Sequence, residues 1–533
     1  MNRRQGTLLA VVLGSSIVFL DSTVVNVALP KIGQDLPRSF LGTFEGQTYV
    51  YNGYLLTLSA LLILAGALAD ARGRRLLFAI GLVGFGATSA LCGLAPSLEA
   101  LVAFRILQGA AGAVLVPGSL AILTASFEGE ELGRAFGLWA GASGATTILG
   151  PFLGGLLVQT LSWRAAFFLN VPLVIVALWA TYRHVPESRN PDATGRFDWG
   201  GAVTVALAVG GLSFGAIYGQ QRQWRDPIGP LAIAIGLASC VAFVVLMRRG
   251  RDPLVPLSLF RSRNFAVTNL STFLIYGALY VVLYELGLFA QGTLGYTAAA
   301  AGLIGVVGSL MLTFLSSRVG VLGARFGPRR FMVAGPALMT LAVLWYARIP
   351  ATSTPWLFDP GHPATWVPPT GFLVDFLPGS IVFGFGLALM VAPLTTALMT
   401  SVPPRNAALG SAINNAVSRV GPQLANAVIF VAITSVFYAS VAAHAPGVDA
   451  STASFREQVS PLNLPSGSLP QVVLAAVHAA SADAFHLAMF VAAALLAGGA
   501  IVNAVGIRDP ARSRAAVPQD DVDIEAQAAV AGE

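Results

Sequence analysis

The sequence predicts an all-α integral membrane protein with fourteen transmembrane helices arranged as six, two and six. Three observations carry this. Of 533 residues, 55% are hydrophobic and only 11% charged, with mean hydropathy +0.73, whereas a soluble domain carries about a quarter charged residues. Apolar runs of roughly 20 residues, enough for a helix to cross a bilayer, recur along the whole chain. A short basic joint is also duplicated, as Gly66-Ala67-Leu68-Ala69-Asp70-Ala71-Arg72-Gly73-Arg74-Arg75 and again as Gly320-Val321-Leu322-Gly323-Ala324-Arg325-Phe326-Gly327-Pro328-Arg329-Arg330. Each copy links two apolar runs, which marks two related halves.

The apolar runs fall at 8–30, 47–69, 76–95, 98–123, 134–160, 165–182, 199–219, 229–248, 265–291, 297–319, 331–349, 372–398, 407–441 and 481–506. Lipid cannot satisfy an open backbone, so each is expected to be a helix. With the N-terminus inside, most arginines sort to the inner loops, which predicts an inner-membrane protein with both termini cytoplasmic. The first joint links spans two and three, the second spans ten and eleven. This spacing divides the chain into an N-terminal six-helix bundle (1–185), two extra linker helices with cytoplasmic connections (186–264), a C-terminal six-helix bundle (265–507) and a disordered cytoplasmic tail (508–533).

Composition excludes several function classes. The net charge of +6 comes from arginines in short loops between spans, which reads as topology control and not nucleic-acid binding. Cys92 and Cys240 both lie in apolar runs and cannot build a metal cluster or a disulfide framework. Lys31 is the single lysine and no Walker loop is present. No nucleophile–base set appears, so the chain is not expected to be an enzyme or to need a cofactor. Protons, membrane lipids and a small-molecule substrate are the expected partners, and a monomer the expected state.

Several motifs then occur in order: Leu20-Asp21-Ser22-Thr23-Val24-Val25-Asn26-Val27-Ala28-Leu29-Pro30, the first joint, Arg105-Ile106-Leu107-Gln108-Gly109, Gly150-Pro151-Phe152-Leu153-Gly154-Gly155, Trp163-Arg164, Asn170-Val171-Pro172 and Phe197-Asp198-Trp199-Gly200. Together with the spans, the chain resembles the major facilitator superfamily, and specifically its fourteen-helix drug:proton antiporter branch. The resemblance implies a proton-coupled secondary transporter that exports small lipophilic or cationic compounds by alternating access. Ala71 and Thr147 depart from the pattern, at a usual Arg or Lys and a usual glycine. The alternative is an importer, or a lipid or metabolite transporter, on the same fold.

Candidate residues follow. Asp21 lies near the bilayer midplane of span one, where an ionisable group is costly and reads as functional; it either takes a proton or pairs with Arg105 to hold helices together. The resemblance gives Arg105 a coupling role, with Gln108 on the same helical face. Glu285, in the repeat-mate of span one, sits beside a Tyr276, Tyr280, Tyr284 stripe, either facing a cavity where aromatics and a carboxyl suit a cation or lying in an interfacial belt. Asn26, Gln108, Tyr276, Tyr280, Tyr284, Asn414, Asn415 and Arg419 are the expected substrate contacts, the last three being equally readable as interhelical hydrogen bonding. Gating is expected from Gly66, Asp70, Arg72, Gly73, Arg74 and Arg75, where an acid is not needed for topology, and from Gly150, Pro151, Gly154 and Gly155. Asp375, Asp483 and His486 read as residues of the outer mouth, with Asp483 and His486 close enough in sequence to meet.

Overall fold

The computed structural model describes residues 2–37, 43–189, 197–222, 224, 226–250, 252–359, 361–463, 465 and 468–509. Among them there is no strand. The helices are α1 (Arg3–Asp35), α2 (Thr43–Arg72), α3 (Arg74–Gly93), α4 (Leu98–Ser126), α5 (Gly129–Thr160), α6 (Trp163–Phe168), α7 (Asn170–His184), α8 (Trp199–Gln221), α9 (Ile228–Arg249), α10 (Arg263–Leu288), α11 (Ala298–Phe326), α12 (Pro328–Tyr346), α13 (Leu377–Thr400), α14 (Ala407–His444), α15 (Ala453–Gln458) and α16 (Gln471–Gly506). Twelve stretches among the described residues are long and apolar enough to cross a membrane, with Trp163–His184 counted as one. The other two expected spans are α5 and α12. The latter runs only 19 residues and opens on Arg329 and Arg330, which lowers its mean hydropathy.

Local chemistry sets the ends. Asn2 caps α1 in a reciprocal pair with Gln5, and Ser97 caps α4 through the Ala100 amide. Both joints turn on a glycine at positive φ, Gly73 at 121° and Gly327 at 90°, where a side chain would be strained. Each joint is then held by an acid from a distant segment. Glu187, just after α7, accepts from the Arg75 and Leu76 amides at 3.1 Å. Asp509, just after α16, accepts from the Arg329 amide at 3.0 Å. The two acids occupy matching places in the repeat, each following the sixth span and capping the third.

Some expectations are corrected. The run at 165–182 is two helices broken at Leu169. The last span starts ten residues early, at Gln471, because Pro470 ends the loop and nothing after it breaks the helix. The tail does not begin free: Arg508 exchanges hydrogen bonds with Asn264, and Asp509 caps α12. Residues 510–533 of the expected disordered tail lie outside the described residues.

Helices α1–α7 pack on one another, as do α10–α14 with α16. The chief contacts between these groups are α5 on α11 and α2 on α14. The α8–α9 hairpin packs through α8 on both α2 and α14, while α9 stays peripheral.

Candidate functional site

Two polar centres and one cavity define the site. The first centre lies within α1, α4 and α7. Asp21 accepts from Arg105 Nη1 at 2.5 Å, from Gln108 Nε2 at 3.0 Å and from Asn170 Nδ2 at 2.8 Å. Arg105 also donates to Gln108 Oε1 at 2.8 Å and, through Nε, to the Val50 carbonyl at 3.1 Å. Its guanidinium lies 4.0 Å from the centroid of the Tyr54 ring. Asp21, Arg105 and Gln108 have no exposed surface. Low dielectric strengthens such a network and makes it costly to break one member. Sequence reasoning missed Tyr54 and the role of Asn170. The signal for Asn170 was a lone amide opening an apolar helix just after a break.

The second centre lies where α2 meets α14. Asp70 accepts from Arg74 Nε at 2.9 Å and Nη2 at 2.8 Å, and from the Ala408 and Leu409 amides at 3.2 and 2.8 Å. It is therefore an N-cap supplied to α14 by a distant helix, in the position that favours an anion. Arg74 also donates to the Pro404 carbonyl. Gly66 packs on Ala408 and Ala412. The Arg72 side chain is exposed.

The repeat-related crossing, α5 on α11, shows no ion pair among the described residues, and Arg134 and Arg318 beside it are exposed. A Cβ on Gly133 would sit 2.5 Å from the Gly320 carbonyl, and one on Gly137 2.5 Å from that of Ser316. Ser316 Oγ donates to the Gly137 carbonyl at 2.7 Å. Small residues let the backbones touch, as membrane packing requires. Toward the opposite end the helices part: a Cβ on Gly155 of α5, or on Gly302 or Gly305 of α11, would meet nothing within 4 Å. Gly150 and Gly154 pack instead on Thr23 and Val24 of α1. The side chain of Pro151 lies outside the described residues.

Between the two helix groups lies a cavity of about 400 Å³. Of the expected contacts, Tyr276, Tyr280, Asn414, Asn415 and Arg419 line it. Tyr284 is 48% exposed and off the cavity wall, Asn26 is exposed, and Gln108 belongs to the Asp21 centre. Tyr51, Trp139 and Ser143 also line it and were not foreseen. Trp139 Nε1 donates to Ser15 Oγ at 2.8 Å, which locks the indole in place. Asp21 itself faces away from the cavity, although Phe19, Ser22 and Thr23 on the same helix line it. Glu285 is buried, with Oε2 unpartnered among the described residues. Nine residues from Tyr276, it falls on the opposite face of α10, where Phe289 one turn on stacks on Phe485 of α16 at 4.1 Å. It is therefore neither on the cavity wall nor in an interfacial belt. Asp375 bonds Ser353 at 2.6 Å, Asp483 bonds Ser440 at 2.6 Å, and His486 meets the Ile349 carbonyl, so Asp483 and His486 do not pair.

Two facing helix groups with a cavity between them are the geometry of a secondary transporter. A family model described as Major Facilitator Superfamily matches residues 11–425. The chain belongs to the Major Facilitator Superfamily. It is a multi-pass membrane protein, and members of the superfamily are small-molecule transporters rather than enzymes. The chain is 34% identical to the multidrug resistance protein Stp of Mycobacterium tuberculosis over 80% of its own length and 76% of that protein. It is 33% identical to the tetracenomycin C resistance and export protein of Streptomyces glaucescens, with the same coverage. It is 31% identical to the puromycin resistance protein pur8 of Streptomyces alboniger, over 83% and 84%. Among solved structures, a human organic anion transporter superposes with TM-score 0.56 at 16% identity, covering 93% of this chain and 100% of that one. A xylose transporter mutant gives 0.58 at 15%, covering 94% and 95%. At these identities the structural likeness is one of fold.

Proposed function

We propose that this superfamily member is a proton-coupled exporter of small lipophilic compounds, working by alternating access across the inner membrane with both termini cytoplasmic. On this reading it has fourteen spans: an N-terminal bundle (1–185), two linker helices (186–264) and a C-terminal bundle (265–507) that rock against each other. The resistance and export proteins to which it is similar support the substrate type and direction. The observation that carries the coupling is the place of Asp21. It is sealed on one side of α1 while Ser22 and Thr23 form cavity wall on the other. Protonating Asp21 releases Arg105, Gln108 and Asn170 together, which lets α1 shift and reshapes the wall beside it. Glu285, buried with Oε2 unpartnered among the described residues, is a second proton acceptor in the C-terminal bundle. The contacts at the hinge end are the closed cytoplasmic gate, with Asp70, Arg74 and Gly66 on one flank and Gly133, Gly137 and Gly320 on the other.

The reading is tested in proteoliposomes with an imposed pH gradient and Nile red, a neutral lipophilic dye. Gradient-dependent dye movement that vanishes in Asp21→Asn is expected. Movement that ignores the gradient, or that survives unchanged in Asp21→Asn, contradicts it.

A further inference from the structure

The cavity wall carries one charged side chain among its described residues, and it is a cation. Arg419, near the middle of α14, lines the cavity beside Asn415 and Ser418. No carboxylate shares the wall. Each acid that could have balanced it is committed elsewhere. Asp21 is sealed on Arg105, Asp70 is sealed on Arg74 and the α14 N-terminus, Glu285 lies on the far face of α10, and Asp375 is held by Ser353 and Arg348.

The other arginines near the membrane interior have protein acceptors, although Arg105 Nη2 is without one among the described residues. Arg105 has three acceptors. Arg74 has Asp70 and the Pro404 carbonyl. Arg164 donates to the Gly93 and Ala95 carbonyls at 2.9 and 3.0 Å, and Arg263 to the carbonyls of Gly506 and Val505. Arg419 has no hydrogen bond or ion pair among the described residues. A guanidinium held only to support helix packing would have found acceptors as these did.

Around Arg419 the described wall carries amides, hydroxyls and aromatic rings but no carboxylate. The hydroxyls of Tyr51, Tyr276 and Tyr280 are likewise without a partner among the described residues, and all three residues line the same space. With Trp139 they form an aromatic wall suited to flat rings. A free guanidinium, phenol hydroxyls and ring faces around about 400 Å³ fit one ligand chemistry, an aromatic body carrying an oxyanion. A cation would meet Arg419 as a like charge with no carboxylate to offset it.

The geometry points to an aromatic organic anion, a carboxylate or phenolate of drug size, as the substrate this cavity takes, with Arg419 as its counter-ion. This rests on the exporter reading and narrows it.

The test uses three compounds of one shape: 2-naphthoate, neutral 2-naphthalenemethanol and cationic 2-naphthylmethylammonium. Binding to the purified full-length protein is read by quenching of tryptophan fluorescence. Wild type is expected to bind naphthoate about tenfold or more tighter than the ammonium compound, the scale of one charge-assisted contact. Arg419→Gln is expected to lose that preference while binding the neutral alcohol as wild type does, which shows that the fold and cavity persist; Arg419→Lys is expected to keep most of it. A wild type that favours the cation, or an Arg419→Gln protein that still favours naphthoate, overturns the proposal. Nile red movement in proteoliposomes separates the two readings: if it persists while the anion preference fails, only the substrate class falls, and if no dye moves, the exporter reading itself falls.

Discussion

Among the described residues the protein buries two aspartate–arginine pairs, and they differ in what they join. Asp21 and Arg105 lie on α1 and α4, both inside the N-terminal group of helices, with every partner in that group. Asp70 and Arg74 share the first joint, but three of their five hydrogen bonds go to α14 and its approach. A rigid rocking of one group against the other leaves the first pair untouched and must break the second. Only a change of charge can open the first. On the proposed function one pair is a chemical switch and the other a mechanical latch, and transport consists of linking them. The repeat sharpens the contrast. The copy of Asp70 in the second joint is Ala324, and that crossing is closed by glycine contacts with backbone and by the Ser316–Gly137 hydrogen bond. On the proposed function half of the gate answers to charge and half to shape.

Substitutions separate these roles. Asp21→Asn is expected to have the largest effect. It removes the proton site and leaves Arg105 buried beside a neutral amide, at a cost of about 3–5 kcal/mol. Gradient-driven dye movement should fall by two orders of magnitude or more, with a lowered melting temperature but a monodisperse protein. Gly133→Leu comes next, because its side chain meets the Gly320 backbone. It should hold the hinge end apart and reduce transport roughly ten- to a hundredfold, read by transport assay and by labelling of cysteines introduced at the hinge end. Asp70→Ala removes two amide bonds to a charged acceptor, worth roughly 1.5–3 kcal/mol each, and leaves Arg74 without its acid. The hinge-open population should rise at least about tenfold, while Asp70→Asn, which keeps an acceptor for the cap, should move it less. Gly155→Ala is the control, since its Cβ enters open space. Transport should stay within about twofold of wild type.

The helices were legible because bilayer thickness writes a length into each apolar run, and the duplicated joint announced a repeat before any helix was placed. The Asp21–Arg105 pairing was visible as one of two readings, since two charges in apolar runs need each other. The wall of the cavity was not. Helices α1, α2 and α10 are apolar all round, so nothing in their periodicity separates the face toward lipid from the face toward a cavity. Tyr51 was passed over for that reason. Glu285 was expected near Tyr276 and Tyr280 because it is close in sequence, yet the helical turn carries it to the other face. The capping acids Glu187 and Asp509 act across long stretches of chain, and no local pattern marks them.

The difference between switch and latch can be measured directly. Spin labels at Glu130 of α5 and Arg330 of α12, both exposed at the hinge end, with Cys240 replaced by serine, report the separation of the two helix groups as a function of pH. Wild type should show a distance distribution that shifts with pH. Asp70→Ala should keep that pH response but start from a wider mean, and Asp21→Asn should show one distribution at every pH. A pH-dependent shift that survives in Asp21→Asn would contradict the account.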